Sequence, residues 1–333
     1  AALAVVRATG ILSRSPACYG TAGLPTGGLW TAGAPAPLAR AETAAAVLEG
    51  RAYLVGGMVA GWRASNLLEV YDITANRWQA GAPLPLAVHH ANVATLDGRL
   101  YVIGGYDDMG KMVNAAPDIA QGWVYDPAED TWTEIAPMPA PRAAGAVVAL
   151  DGRLFLVGGT GTGAQAVWVY DPATDAWDTS RRGQQPTPRE HVPAVELDGK
   201  IYLIGGRWND ISTGANEMYD PATDTWTKLA DLPTPRSALS LAALHGRIHA
   251  AGGEDLDNRC TYGVHEVYDP VADAWTALVG IPTARHAMES VVLDDRWYLM
   301  GGATEAGGNT ERSLSSVVEI FTPDNPAAAL EGG

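Results

Sequence analysis

Short apolar runs recur along this chain at a nearly constant interval, and each closes on a glycine pair. The runs are Tyr53-Leu54-Val55-Gly56-Gly57, Tyr101-Val102-Ile103-Gly104-Gly105, Phe155-Leu156-Val157-Gly158-Gly159, Tyr202-Leu203-Ile204-Gly205-Gly206, His249-Ala250-Ala251-Gly252-Gly253 and Tyr298-Leu299-Met300-Gly301-Gly302. From first glycine to first glycine the steps are 48, 54, 47, 47 and 49 residues. A fixed period of this size means one supersecondary unit copied around or along a body.

Polar punctuation follows the same period. Tyr71-Asp72, Tyr125-Asp126, Tyr170-Asp171, Tyr219-Asp220 and Tyr268-Asp269 recur, with Phe321-Thr322 in the last copy, and Trp78, Trp132, Trp177, Trp226 and Trp275 each stand seven residues beyond the Tyr. The segments between them, such as Asp126-Pro127-Ala128-Glu129-Asp130, read as tight turns, because Pro fixes φ and Asp bonds its own backbone. Asp97-Gly98, Asp151-Gly152 and Asp198-Gly199 are hairpin signals ahead of the apolar runs. Each copy therefore holds four short antiparallel strands. The sixth copy lacks its Trp strand, whereas Gly28-Leu29-Trp30-Thr31-Ala32-Gly33 supplies one before the first copy. The pattern predicts an all-β propeller of six blades over 23–326, closed by that N-terminal strand, with tails at 1–22 and 327–333. Closure removes two unpaired sheet edges.

Apolar run, Gly-Gly, Tyr-Asp, a seven-residue step to Trp and then Pro-Arg: this order resembles the kelch-repeat propellers, over nearly the whole chain, in the bacterial single-domain form. The resemblance implies six blades. It implies enzymes, sugar-handling proteins and protein-binding adaptors alike, so function must be argued from the site.

In a propeller the innermost strand lines the central channel, and the loops that converge on one face form the default site. Sixteen residues before the first glycines stand Arg40, Val88, Arg142, Arg189, Arg236 and Arg285. Glu69, Glu217, Glu266 and Glu319 recur two residues before the Tyr or Phe, so buried Arg–Glu pairs are expected in four blades. Arg142 lacks its Glu and is the arginine expected to contact a ligand.

Fourteen residues before the glycines stand Glu42, His90, Ala144, His191, Ala238 and Ala287, and Glu289 lies one pleat deeper in the sixth copy. By strand alternation both positions share one face. Glu42, His90, His191 and Glu289 can together hold a divalent metal ion of unspecified identity, or act as acid and base without one, or simply line a wet pore. His89, Glu190 and His286 start the same strands. The loops add Trp62 and Arg63, Tyr106 and Asp107, and Arg207, Trp208 and Asn209; aromatic rings beside Arg and Asp suit a sugar-like or aromatic polar substrate. His249 replaces a strand Tyr and is expected in the core.

Composition narrows the choice. The net charge is −16, which disfavours nucleic acid as a partner. No apolar run approaches the roughly 20 residues that span a bilayer. The two cysteines, Cys18 and Cys260, set no disulfide framework; they meet only if the tail climbs the side of the ring, and they are expected unpaired. Apolar Ala1–Val6 reads as the remnant of a processed signal or as a boundary of the chain. Two functions compete. One is a small-molecule site, with isomerase, lyase or oxidoreductase chemistry implied by the kelch enzymes. The other is a protein-interaction module on the same face. The Cys-crosslinked Tyr of copper-radical oxidases and the Glu-x-x-x-Asp-x-x-x-His triad of iron-holding kelch proteins have no counterpart here.

Overall fold

The structure is a computed structural model that describes residues 17–18, 27–107, 119–307 and 312–324. Six four-stranded antiparallel sheets follow one another in chain order. The first blade comprises Ala44–Leu48, Arg51–Val55, Leu68–Asp72 and Arg77–Gly81, from the axis outward. The other inner strands are Asn92–Leu96, Ala146–Leu150, Ala194–Leu197, Ser240–Leu244 and Glu289–Leu293. Each inner strand lies against the next, and the sixth against the first. The ring closes as the sequence predicts: Leu29–Ala32 is the outer strand of blade six and pairs antiparallel with Val318–Thr322, Trp30 opposite Phe321. The chain is an all-β six-bladed propeller.

Hairpin chemistry sets the register. Asp97 and Gly98 both adopt positive φ, at 50° and 72°, as a two-residue turn of the primed type requires. The apolar runs are buried on both faces, because the core lies between blades rather than within one. Val55 and Leu68 of blade one pack with Leu100, Val102 and Trp123 of blade two, and equivalent clusters fill every other gap.

The repeated polar residues stitch neighbouring blades together. In five blades the Tyr hydroxyl donates to an Asn or Asp five residues on: Tyr71 to Asn76, Tyr125 to Asp130, Tyr170 to Asp175, Tyr219 to Asp224 and Tyr268 to Asp273. The acceptors of Asn76, Asp130, Asp175 and Asp273 also take a backbone N–H from the preceding blade's exit, as from Ala82 to Asp130 at 2.7 Å. Trp78, Trp132, Trp177 and Trp275 stack near their Tyr and donate Nε1–H to that same exit segment.

The glycine pair is an inter-blade joint. The second glycine's N–H donates to the carbonyl of the arginine-position residue of the next blade in all six copies, from Gly57 to Val88 through Gly302 to Arg40. A Cβ on the first glycine would collide with that strand; at Gly104 it would sit 2.2 Å from the Arg142 carbonyl oxygen.

Four arginines behave as expected. Arg40, Arg189, Arg236 and Arg285 are wholly buried and pair with Glu69, Glu217, Glu266 and Glu319. Arg142 departs from expectation. It is equally buried, its guanidinium lies 3.8 Å over the Trp168 ring, and it donates to the carbonyls of Ala166 and Gly163. Trp168 stands where other blades carry Glu, so a cation–π contact replaces the ion pair. Arg142 is structural, and burial without a carboxylate pulls its pKa down to about 9.

The cysteines also depart from expectation: Cys18 and Cys260 form a disulfide, with Cα atoms 5.3 Å apart. Ala17–Cys18 adds as a parallel strand to Cys260–Tyr262 in the loop of blade five. His249 is buried against His265, 2.9 Å between ring nitrogens, as a core histidine. Among the described residues no helix is long and apolar enough to cross a membrane.

Candidate functional site

The residue fourteen places before each first glycine lies outside the strands. Glu42, His90, Ala144, His191, Ala238 and Ala287 all take left-handed backbone, with φ from 48° to 54°. For residues other than glycine this costs about 1 kcal/mol or more, so the surroundings must impose it. They do so through a wheel of backbone hydrogen bonds. The N–H of Glu42 donates to Ala287, His90 to Glu42, Ala144 to His90, Ala238 to His191 and Ala287 to Ala238, at 2.8–3.0 Å. This kink, and not strand alternation, turns the six side chains toward the axis. They share a channel of about 190 Å³ with the strand residues Asn92, Ser240 and Glu289.

Three of the six carry chemistry, and they meet. The ligand atoms of Glu42, His90 and His191 all lie within 4.8 Å of one another. His90 Nε2 is 2.8 Å from His191 Nε2 and 3.3 Å from Glu42 Oε2, and His191 Nε2 is 3.7 Å from Glu42 Oε1. Glu289 lines the same channel without belonging to the triad.

Neighbours orient both imidazoles. Glu190 accepts a hydrogen bond from His191 Nδ1, which leaves His191 Nε2 as the lone pair facing the axis. His89 touches His90 through the two Nδ1 atoms and stacks on Tyr106 at 5.3 Å between centroids. Arg207 fills the space beside His191. Its Nε donates to Glu190 at 2.8 Å, its Nη1 to Glu254, and its Nη2 to His191 Nε2 at 2.9 Å.

Protonation follows from burial and these contacts. Burial drives His90 well toward the neutral form, against the pull of Glu42. Burial with the neighbouring His90 holds His89 down at about 3. Burial opposes ionisation of Glu42, yet the imidazoles of His90 and His191 outweigh it and keep the carboxyl far below the usual range. Glu190 is likewise held at about 2 by His191 and Arg207 against burial. Glu289 goes the other way: burial, then the Glu42 charge, pushes it up to about 8. The mouth thus offers a neutral imidazole and an ionised carboxylate to the axis, with a protonated carboxyl below.

The remaining residues singled out by sequence divide into braces and rim. His89 and His286 are 3% exposed and sit behind the mouth; His286 Nε2 lies 3.0 Å from the Glu305 carbonyl. Tyr106 and Asp107 pair with His89 and Val88, and the Tyr106 hydroxyl meets Thr160 Oγ1 at 3.1 Å. Trp62 with Arg63, and Trp208 with Asn209, are exposed on two loop hairpins, the two Trp rings 39% and 46% open. Glu254, which the sequence offers only as one of the blade-five loop acids with Asp255 and Asp257, is a buried carboxylate that holds Arg207 and lies 3.3 Å from His286 Nδ1. A signal existed. The residue directly after each glycine pair (Met58, Tyr106, Thr160, Arg207, Glu254, Ala303) pairs with the residue just before the left-handed one, as Glu190 does with Arg207 and Ser237 with Glu254.

A closed six-bladed ring with inter-blade glycine joints defines a β-propeller, here with a polar axial mouth. A KLHDC2/KLHL20/DRC7 kelch-repeats domain model matches residues 137–302, and the kelch motif model matches 39–85 and 87–139. The chain belongs to the kelch-repeat propellers. Kelch-like protein 35 of Homo sapiens is 45% identical over 132 residues, and its Mus musculus counterpart 30% over 132; each alignment covers 39% of this chain and 22% of that protein. Kelch-like ECH-associated protein 1A of Danio rerio is 40% identical over 45 residues, 14% of this chain and 8% of that one. This chain therefore spans under a quarter of these relatives. The structure titled "Structure of YjhT" superimposes with a TM-score of 0.72 at 17% identity, over 87% of this chain and 99% of that chain, and shows the shared fold.

Proposed function

We propose that the channel mouth is a small-molecule site organised around one divalent cation held by Glu42, His90 and His191. The observation that carries this reading is the convergence of two imidazole nitrogens and a carboxylate from three blades within 4.8 Å. Two imidazoles and one carboxylate suit borderline ions such as Zn²⁺ or Fe²⁺ and leave coordination positions open to a ligand. Glu190 behind His191 and His89 behind His90 supply the outer hydrogen bonds that metal-binding imidazoles use. A bound cation would polarise a ligand oxygen. Glu289, protonated beside the same channel, offers a general acid to a polar substrate. Exposed Trp62 and Trp208 offer ring faces on which a sugar-like or aromatic ligand can stack.

One observation favours a second reading. The Arg207 Nη2 hydrogen bond to His191 Nε2 satisfies that nitrogen without metal, and the mouth would then bind its ligand by acid/base and hydrogen-bond contacts alone. Elemental analysis of purified protein, followed by calorimetric titration of chelator-treated protein with Zn²⁺, separates the two. One equivalent that is lost in His90→Ala/His191→Ala supports the cation reading. No bound metal and no heat on titration leave the metal-free reading standing.

A further inference from the structure

We infer that the Cys18–Cys260 disulfide is a redox latch on the site: closed, it fixes the blade-five hairpin that aims Glu254 at Arg207, and opened by a dithiol it releases that arrangement. The inference goes beyond the cation reading and does not need it, since the linkage is structural.

The path is short and continuous. Ala17–Cys18 lies parallel to Cys260–Tyr262, with Ala17 opposite Thr261 and Cys18 opposite Tyr262. Cys260–Tyr262 pairs in turn with Glu254–Asp255, with Thr261 opposite Glu254 and Cys260 opposite Asp255. The three strands form one small sheet, separate from the blade sheets. Its innermost residue is Glu254, whose carboxylate is 2% exposed and reaches Arg207 Nη1, His286 Nδ1 and the Gly307 N–H at 2.7 Å. Arg207 then reaches Glu190 and His191. The central strand is tied to blade six by the Thr261 hydroxyl, which donates to the Thr304 carbonyl at 3.2 Å, and on the inner edge Glu254 exchanges backbone hydrogen bonds with Ser237. The outer edge is the two-residue strand Ala17–Cys18, and two residues of parallel pairing carry little stability of their own. The covalent bond is therefore what keeps the tail strand in place. It joins residues 242 apart, and its loss removes the covalent tie between that strand and blade five.

The chemistry needs only a dithiol. One thiolate attacks a sulfur of the disulfide and gives a mixed disulfide with release of one cysteine thiolate. The second thiol of the reductant then displaces the other cysteine. Cys18 and Cys260 gain two electrons and two protons, and the dithiol leaves as its own disulfide. Cys18 is partly exposed and Cys260 6% exposed, so attack falls on the Cys18 sulfur. An oxidising compartment keeps the latch closed.

The test is amide hydrogen exchange with histidine NMR on the full chain, comparing oxidised protein, dithiothreitol-reduced protein and Cys18→Ser, all in chelator. Expected are a tenfold or greater acceleration of exchange at Glu254 and Tyr262, shifted ring signals of His191 and His286, and unchanged exchange in the strands of blades one to three. Cys18→Ser leaves Cys260 buried and reproduces the reduced state without reductant. Two free thiols in the native protein would overturn the inference. So would reduction that leaves the hairpin and the histidine signals unmoved, or that unfolds the whole ring.

Discussion

His90 Nε2 and His191 Nε2 lie 2.8 Å apart at the axis of the propeller, though 101 residues separate them in the chain. Two imidazoles reach this approach only if a proton or a cation lies between their nitrogens. Glu190 takes the Nδ1 proton of His191, so His191 Nε2 accepts, while His90 Nε2–H serves it and Glu42. The same geometry accepts a metal ion once His90 moves its proton to Nδ1, toward His89.

That arrangement makes Glu190 a positioning residue. Glu190→Gln retains a side-chain oxygen but loses the charge that fixes the His191 tautomer. Cation affinity should fall about 10–100-fold, as for other outer-shell partners of metal-bound imidazoles. Calorimetric titration with Zn²⁺ measures it. An unchanged affinity would show that His191 is oriented by something else.

The buried ion pairs belong to the ring and not to the site. Glu266→Ala strands the Arg236 guanidinium, which is wholly buried and otherwise faces Glu266 at 2.6 Å. Breaking such a pair costs roughly 3–5 kcal/mol, whereas replacing both partners with apolar residues of similar volume is close to neutral. Urea unfolding of Glu266→Ala beside Arg236→Met/Glu266→Leu should therefore rank the double variant above the single one.

Much of this was legible in the residues. The glycine period gave the blade count, and the stray Trp30 strand gave the closure. Both rest on local turn chemistry and on one repeated joint. The convergence of Glu42, His90 and His191 followed from their equivalent positions, although the left-handed backbone that turns them inward is a property of the inter-blade wheel. Trp168 stands at the repeat position of the missing Glu, but that a Trp face there can replace the carboxylate as partner of Arg142 shows only in the packing. The partner of Cys18 lies in a loop of blade five, which no periodicity encodes. Glu254 reads as one loop acid among several until its register beside Ser237 is known.

Trp30 is the lock of the ring. It packs at 5.1 Å on Phe321 and 6.0 Å on Trp297, and donates Nε1–H to the Val279 carbonyl at 3.1 Å. Its half-buried position places Trp30→Ala at the low end of roughly 3–5 kcal/mol. Because this side chain fills the gap between blades five and six, the loss should show as faster amide exchange in those two blades before global unfolding. Trp30→Phe keeps the packing and should lose only about 1 kcal/mol for the hydrogen bond.

Glu289 gives the protein a pH signature. Its carboxyl is raised from 4.5 to about 8 by burial and by Glu42. Between those values the folded chain keeps a proton that the unfolded chain has released. Stability is thus fully present below pH 4.5, declines as pH rises toward 8 by at most about 1.4 kcal/mol per unit, and levels off beyond. Glu190, depressed to about 2, acts in the opposite sense and sets a separate acid limb, its contribution lost as pH falls below 4.5. Glu289→Gln carries no titrating proton there. In chelator, its urea-unfolding free energy should follow wild type on the acid side and exceed it at pH 8. Parallel curves across the whole range would mean that Glu289 is ionised in the folded channel, and its role as a general acid would fall with it.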